Sequence, residues 1–468
     1  MDKKASSVNE YLKSTRISEI IGEGLKEITQ EFPKDSIGAL VSFLRGKAED
    51  PTIAKVCARE ILDSQGIPTV EIDVFAYYLG GVQYVCTSSI SAGLNNNERK
   101  NGIERDTQSS MYDGKSISST VRLINEKVSS IVRGIKIFDQ KILDAAMISN
   151  EQLASEKNFK FIILAVSIAV AEAAAILSNN EVFAHMNPDS NLYEIPNPCF
   201  TLVDGGKNAN NKLKIQEIMI YFEGEMAIND KVRMAAEIYQ KLGQMIMKEH
   251  GIGVGLTGGY SPQTDNLDQL LVIIEKAIEA SGYHPNSDVF IGINAAGYSL
   301  FDGNEKKYAV EGGSLLTPEN FLAFWKLISE KHPSVRMIVD PFSPLDVESW
   351  KSLKSALGED VLIITSHVTC PESINKEIEL VSGIDLCLMD STSVTDILEY
   401  CQAIKVSERK LMISAGTYET SSTIISDISV AVGATFFKAG APSRGERVAK
   451  YNRLIQIHDC LIDNENNE

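Results

Sequence analysis

Between residues 289 and 416 five short apolar segments recur, VFIGINAA, VRMIVDPF, VLIITSH, GIDLCLMD and KLMISAG, with a helical stretch between each and the next. Strand then helix, repeated at this length, implies parallel strands joined by helical crossovers. Each segment ends in, or runs into, polar or small residues, where a β/α barrel places its ligand groups. An open doubly wound sheet gives the same rhythm, but no GxGxxG opens any of these units.

The chain ahead of this repeat reads differently. KVCAREILDSQGIPTVEIDVFAYYLGGVQYVCTS alternates, is rich in Val, Ile and Tyr, and carries Gly66-Ile67-Pro68 as a turn, which predicts an antiparallel meander. Helical patterns follow to about residue 180, with a polar loop expected over 94–114. FIILAVSIAVAEAAAI, 161–176, is too short for a membrane span and is interrupted by Glu172, so a buried helix is expected. Further forward, Ile17, Ile20, Ile21, Leu25 and Ile28 recur at helical spacing. Pro33 breaks the pattern, Asp35 is placed to cap, and Ile37, Leu40, Val41, Phe43 and Leu44 form a second apolar set. Two such short helices cannot bury both faces alone, and pairing with a second copy is expected. The divisions expected are a helical module over 8–50, an α+β domain over 54–190 and a barrel over 191–462.

Composition excludes some functions. The 468 residues carry a net charge of -18, from 63 acids against 45 Lys and Arg, which argues against nonspecific nucleic-acid binding. Seven scattered cysteines and six dispersed histidines give neither a disulfide framework nor a zinc motif, and a reducing compartment fits. MDKKASSVNEYLK has no apolar run of the signal-peptide kind. The expected setting is cytoplasmic, without nucleic-acid or membrane partners.

The segment GGKNANNKLKIQEIMI, 205–220, combines glycines, amides and one acid, Glu217, and has the character of a ligand-binding corner. Together with AREILDSQGIPTVEID, IPNPCFTLVDGG, VDPF and KAGAPSRGERVAKYNRLIQI, it resembles the enolase family, from residue 54 to about 460. The resemblance implies a small α+β domain before an eight-stranded β/α barrel. It also implies interconversion of 2-phosphoglycerate and phosphoenolpyruvate, with magnesium stabilising an enolate. YLKSTRISEIIGEGLKEITQEFPKDSIGALVSFLRG resembles the docking-and-dimerisation module of cyclic-AMP-dependent kinase regulatory subunits and their axonemal relatives. There, two hairpins form a four-helix bundle whose groove takes an amphipathic helix. The two resemblances together point to an axonemal, sperm-type branch of the enolase family, with Ile17, Ile21, Leu25, Ile28, Leu40 and Leu44 as docking and dimerisation positions.

Enolate chemistry needs divalent cations on carboxylates, a lysine base and an acid for the departing hydroxyl. By motif match, the three metal carboxylates of the family fall on Asn294, Val339 and Ser366, with His367 beside the last. A hard cation wants several charged oxygens, and these positions supply none. Asp340, next to Val339, is expected to point to the opposite face of its strand. The acid of the family's DEGG motif falls on Thr257, and the catalytic lysine on Asp390 to within two residues. There is no lysine between Glu377 and Ile404. The histidine and arginine of SHRSGET fall on Ala415 and Gly416, with Thr417 keeping a hydroxyl, and another histidine position is Asn208 after Lys207. Glu217, Lys438 and the loop serine Ser91 keep the family's residue types, with Ser89 and Ile90 where the family has glycine and alanine.

Without metals, Lys438 is expected to pair with Glu217 or Asp390, and RGERVAKYNR is expected to make interdomain or subunit salt bridges. The reading is an enolase-fold homodimer without hydratase activity and with no cofactor, serving as a scaffold among axonemal proteins of a cilium or flagellum. The alternatives are an active, magnesium-dependent phosphopyruvate hydratase of glycolysis, or a repurposed ligand-binding member.

Overall fold

The computed structural model describes residues 10–92, 103–188, 190, 192–250, 253–367 and 378–465. The expected loop therefore falls partly outside the described residues, at 94–102. The class expected from the sequence is the one observed: a closed barrel, an α+β domain ahead of it and a helical hairpin in front.

The hairpin consists of α1 (Ile17–Glu31) and α2 (Ser36–Lys47). Phe32, in a left-handed conformation with φ 49, closes α1 through its N–H to the Ile28 carbonyl. The Asp35 carboxylate then caps α2 by accepting from the Gly38 N–H at 2.8 Å. The helices cross closely at Gly24, where a Cβ would stand 2.7 Å from Phe43. Ile28, Leu40 and Leu44 are half-buried, while Ile17, Ile21 and Leu25 stay exposed, Leu25 to 50%.

Strands β1 (Thr52–Leu62), β2 (Pro68–Tyr78) and β3 (Gly81–Ile90) form the expected antiparallel meander. Helix α3 (Phe159–Leu177) packs on β2 and β3 and, on another side, meets a barrel helix at Val394–Val406. Covered on several sides, it is apolar all round. By length and composition alone it could cross a membrane, but most of it is buried in the protein's own core.

The barrel strands are β4 (Asn197–Asp204), β5 (Glu217–Phe222), β6 (Val289–Asn294), β7 (Val335–Val339), β8 (Leu362–Thr365), β9 (Gly383–Cys387), β10 (Lys410–Ser414) and β11 (Phe436–Gly440). They pair in chain order, and β11 closes on β4. The second strand, β5, runs antiparallel to both its neighbours; the remaining pairs are parallel. Reversing β5 brings its first residue, Glu217, to the end of the barrel where the parallel strands finish, opposite Asn294. Inside, Met219, Tyr221, Phe290, Met337, Val339, Met412 and Phe436 fill the barrel as a separate apolar cluster.

Candidate functional site

The strand ends bring Glu217, Asn294 and Lys438 together. Glu217 is 4% exposed, and one of its oxygens accepts from Asn294 Nδ2 at 2.9 Å and from Lys438 Nζ at 3.0 Å. Its other oxygen accepts from Asn208 Nδ2 at 3.4 Å. Burial pushes this carboxyl up, but the Lys438 charge, with hydrogen bonds from Asn294 and Lys438, holds it below the usual carboxylate range. Lys438 also stands 3.6 Å from Asp385 on β9.

Asp385 is an acid that sequence reasoning missed, because GIDLCLMD reads as one apolar strand. The missed signal was an acid at an inward position of a strand beside a buried lysine. The strand ends at Cys387, and Asp390 lies beyond it on a 3₁₀ turn, Leu388–Asp390. Of the two partners expected for Lys438, Glu217 pairs with it, and the acid that β9 itself sends against Lys438 is Asp385.

A second missed acid, Asp204, closes β4 and is fully buried. The turn GLTGGY wraps it. Thr257 donates through its hydroxyl at 2.6 Å and its N–H at 3.0 Å, and the Gly259 N–H donates at 3.0 Å. A Cβ on Gly255 would stand 2.3 Å from that of Asp204, so the turn keeps glycine there. Burial, helped by the charge of Glu217, pushes the Asp204 carboxyl up to about 7 against these hydrogen bonds. Thr257, at the position of the family's acid, is thus a donor to a buried carboxyl.

The three metal positions do not fit a divalent cation. Val339 faces the apolar interior of the barrel. The amide of Asn294 is spent on Glu217, and its carbonyl oxygen accepts from the Ala296 N–H at 3.2 Å. Ser366 donates its hydroxyl to Asp340 at 2.6 Å and its N–H to the same carboxylate at 2.9 Å. Among the described residues no three His, Cys, Asp or Glu side chains converge to hold a metal ion.

Asp340 corrects a second expectation. The strand stops at Val339, Asp340 takes φ 47, and Pro341 follows. Its carboxylate therefore swings sideways to Ser366, just past the end of the neighbouring strand, instead of pointing behind the sheet, with His367 Nε2 at 3.7 Å.

The segment Ala415–Thr420 serves the scaffold. Arg447, 1% exposed, donates to the Gly416 carbonyl at 2.7 Å and the Thr417 carbonyl at 2.5 Å. Lys450 meets Glu419 at 3.1 Å. Glu419 joins Ser64 of the small domain through backbone and side chain, and Thr420 joins Ser89 at 3.0 Å. Within RGERVAKYNR, Arg447 and Lys450 thus brace the barrel's own loop. Arg453 bridges Asp427 of the barrel to Glu181 of the small domain. Ser91 is buried where β3 ends.

A barrel with its second strand reversed, an α+β domain ahead of it and a lysine–glutamate pair at the strand ends define an enolase-type architecture. The family models for the enolase N-terminal domain and the enolase C-terminal TIM barrel domain match residues 53–186 and 192–467. Similar proteins include an enolase of Methanosarcina barkeri, 33% identical over 421 residues, covering 87% of this chain and 95% of that one. An enolase of Corynebacterium kroppenstedtii is 32% identical over 420 residues, covering 88% and 96%. The chain belongs to the enolase family. The two helices of the hairpin lie ahead of both matches.

Proposed function

We propose that this protein is a non-catalytic enolase-fold scaffold that requires no metal cofactor. Val339 carries the reading: an isopropyl group packed into the barrel interior stands at a position that must bind magnesium, and no rotamer of it offers an oxygen. Ser366 and Asn294 are neutral and already bonded, so the remaining donors do not make up the loss.

The scaffold role rests on the hairpin. Ile17, Ile21 and Leu25 expose one apolar stripe of α1, as a bundle-forming helix does before it meets its partner. The protein dimerises through this face, receives an amphipathic helix from a partner in the resulting groove, and works among axonemal proteins of a cilium or flagellum, in the cytoplasmic compartment.

A coupled turnover assay with magnesium and 2-phosphoglycerate, run beside calorimetric titration on the same folded sample, tests the reading. Silence in both is expected; turnover overturns it. One observation favours a second reading: Glu217 and Lys438 persist as a 3.0 Å pair in a chain about one third identical to proteins named enolase. Under it the chain is a magnesium-dependent lyase of glycolysis, and the same assay decides.

A further inference from the structure

Along the outer edge of β1 runs a helical stretch that changes its winding. Ser118–Leu123 is α-helical, Ile124–Val128 is a π turn, and Ser129–Val132 returns to α. Asn125 and Ser129 bond it to the strand. Asn125 Oδ1 accepts from the Ala58 N–H at 2.7 Å, its Nδ2 donates to the Ala58 carbonyl at 3.0 Å, and Ser129 Oγ accepts from the Val56 N–H at 3.2 Å. On another side, Asn158 Nδ2 donates to Thr120 Oγ1 at 2.9 Å and fixes the turn at 156–158 against the helix. Between helix and turn lies a cavity of about 310 Å³, within the range of small-molecule sites.

Its charges define what it can hold. Arg122, Lys127 and Lys157 line it with Glu126 and Glu156, and Leu123 supplies an apolar side. Lys127 is taken by Glu156 at 2.5 Å, and Lys157 by Glu104 at 2.6 Å. Arg122 and Glu126 stand four residues apart, a spacing at which opposite charges pair on an α-helix. Here the π turn opens between them, and among the described residues neither makes a hydrogen bond or an ion pair. Asp106 feels the Arg122 charge, but its own carboxylate is bonded to Ser118 Oγ at 3.0 Å and to the Ser119 N–H at 2.9 Å. The cavity thus presents one unpaired cation and one unpaired acid. A simple anion on Arg122 would face Glu126, and a simple cation on Glu126 would face Arg122. A molecule with one charge of each sign satisfies both. The π turn is a second pointer, since such turns are rare and recur at functional sites.

We infer that this cavity binds a zwitterionic ligand of the free amino acid class, its carboxylate on Arg122, its ammonium on Glu126 and an aliphatic side chain against Leu123. The inference holds whether or not the barrel is catalytic, because none of the residues at the barrel mouth lines the cavity.

Saturation-transfer NMR on the full chain tests it, with L-leucine as probe. A saturable leucine signal is expected. Arg122→Gln and Glu126→Gln should each weaken binding about three- to tenfold, with unchanged melting curves because both side chains are exposed. Arg122→Lys, which keeps the charge, should retain more of the signal than R122Q. N-acetyl-leucine lacks the ammonium and leucine methyl ester lacks the carboxylate, so each should compete less well than leucine by a similar factor. Glycine, without the side chain, should also compete less well. A leucine signal that does not saturate overturns the inference, as does undiminished binding by R122Q or E126Q. Competition by N-acetyl-leucine or inorganic phosphate as strong as that of leucine would mark a plain anion site and overturn it too. Glycine competing as well as leucine would remove the contact with Leu123 and, with it, the placement.

Discussion

Two ion clusters of this protein stand in contrasting settings. At the barrel mouth Lys438 stands between Glu217 and Asp385, in a place shaped for chemistry. At the domain boundary Arg453 stands between Asp427 and Glu181, in a place shaped for cohesion. The second has bidentate geometry and one partner, Glu181, that is 42% exposed. The first has no such outlet to solvent: lysine and both carboxylates are nearly fully buried. A cluster buried this deeply persists only if its own charges compensate, and Lys438 supplies that compensation.

The largest effect is therefore expected from Lys438→Met. It leaves Glu217 and Asp385 buried without their cation, and removing one partner of such a pair costs about 3–5 kcal/mol. Denaturant unfolding measures it. A loss under about 1 kcal/mol would mean that the barrel mouth is wet and open, and the contrast between the clusters would collapse.

Arg453→Met should cost less, about 1.5–3 kcal/mol, as expected for hydrogen bonds to a charged group when one acid can still reach water. Its loss should also loosen the small domain against the barrel, read as faster amide exchange in α3. Equal costs for the two variants would show that burial makes no difference here.

Much of this contrast was legible beforehand. The barrel strands are readable because each is an apolar run closed by small or polar residues, and the hairpin because Pro33 and Asp35 punctuate it. Glu217 and Lys438 are readable because both sit within recognisable motifs, one opening its strand and the other inside FFKAGAP. Asp340 was not readable, since its direction depends on leaving the strand at φ 47 one residue before a proline. Asp385 hides inside an apolar run, and its importance appears only when β9 and β11 are closed into one barrel. Asp204 precedes the glycine pair that opens the expected ligand-binding corner; only the fold wraps residues 255–259 around it.

Asp204 sharpens the comparison from the side of pH. Its carboxyl is raised to about 7 in the folded chain, well above the ordinary value near 4. An acid whose folded pKa is raised binds its proton more tightly folded than unfolded. Its contribution is therefore fully present below about 4 and is lost as pH rises towards about 7. Asp204→Asn copies the protonated acid: its oxygen can accept from the Thr257 and Gly259 N–H groups, and its amide can donate to a rotated Thr257 hydroxyl. The variant should lack this fall and be the more stable form at pH 8, by about 1 kcal/mol or more. Parallel pH curves for the two proteins would show that Asp204 is ionised throughout.

The smallest effect on folding, and the clearest on assembly, is expected from Leu25→Glu. Leu25 is half exposed on α1, so the charge meets water and global stability should change by no more than about 0.5 kcal/mol. If α1 forms a bundle with a second copy, the same charge enters an apolar seam, and light scattering should report a monomer where the unaltered chain is a dimer. Ile28→Glu discriminates further. Ile28 is half-buried, so this change should disturb the hairpin as well as its assembly. A dimer that survives L25E would locate association elsewhere on the molecule. The exposed stripe of Ile17, Ile21 and Leu25 would then be left for the docking helix alone.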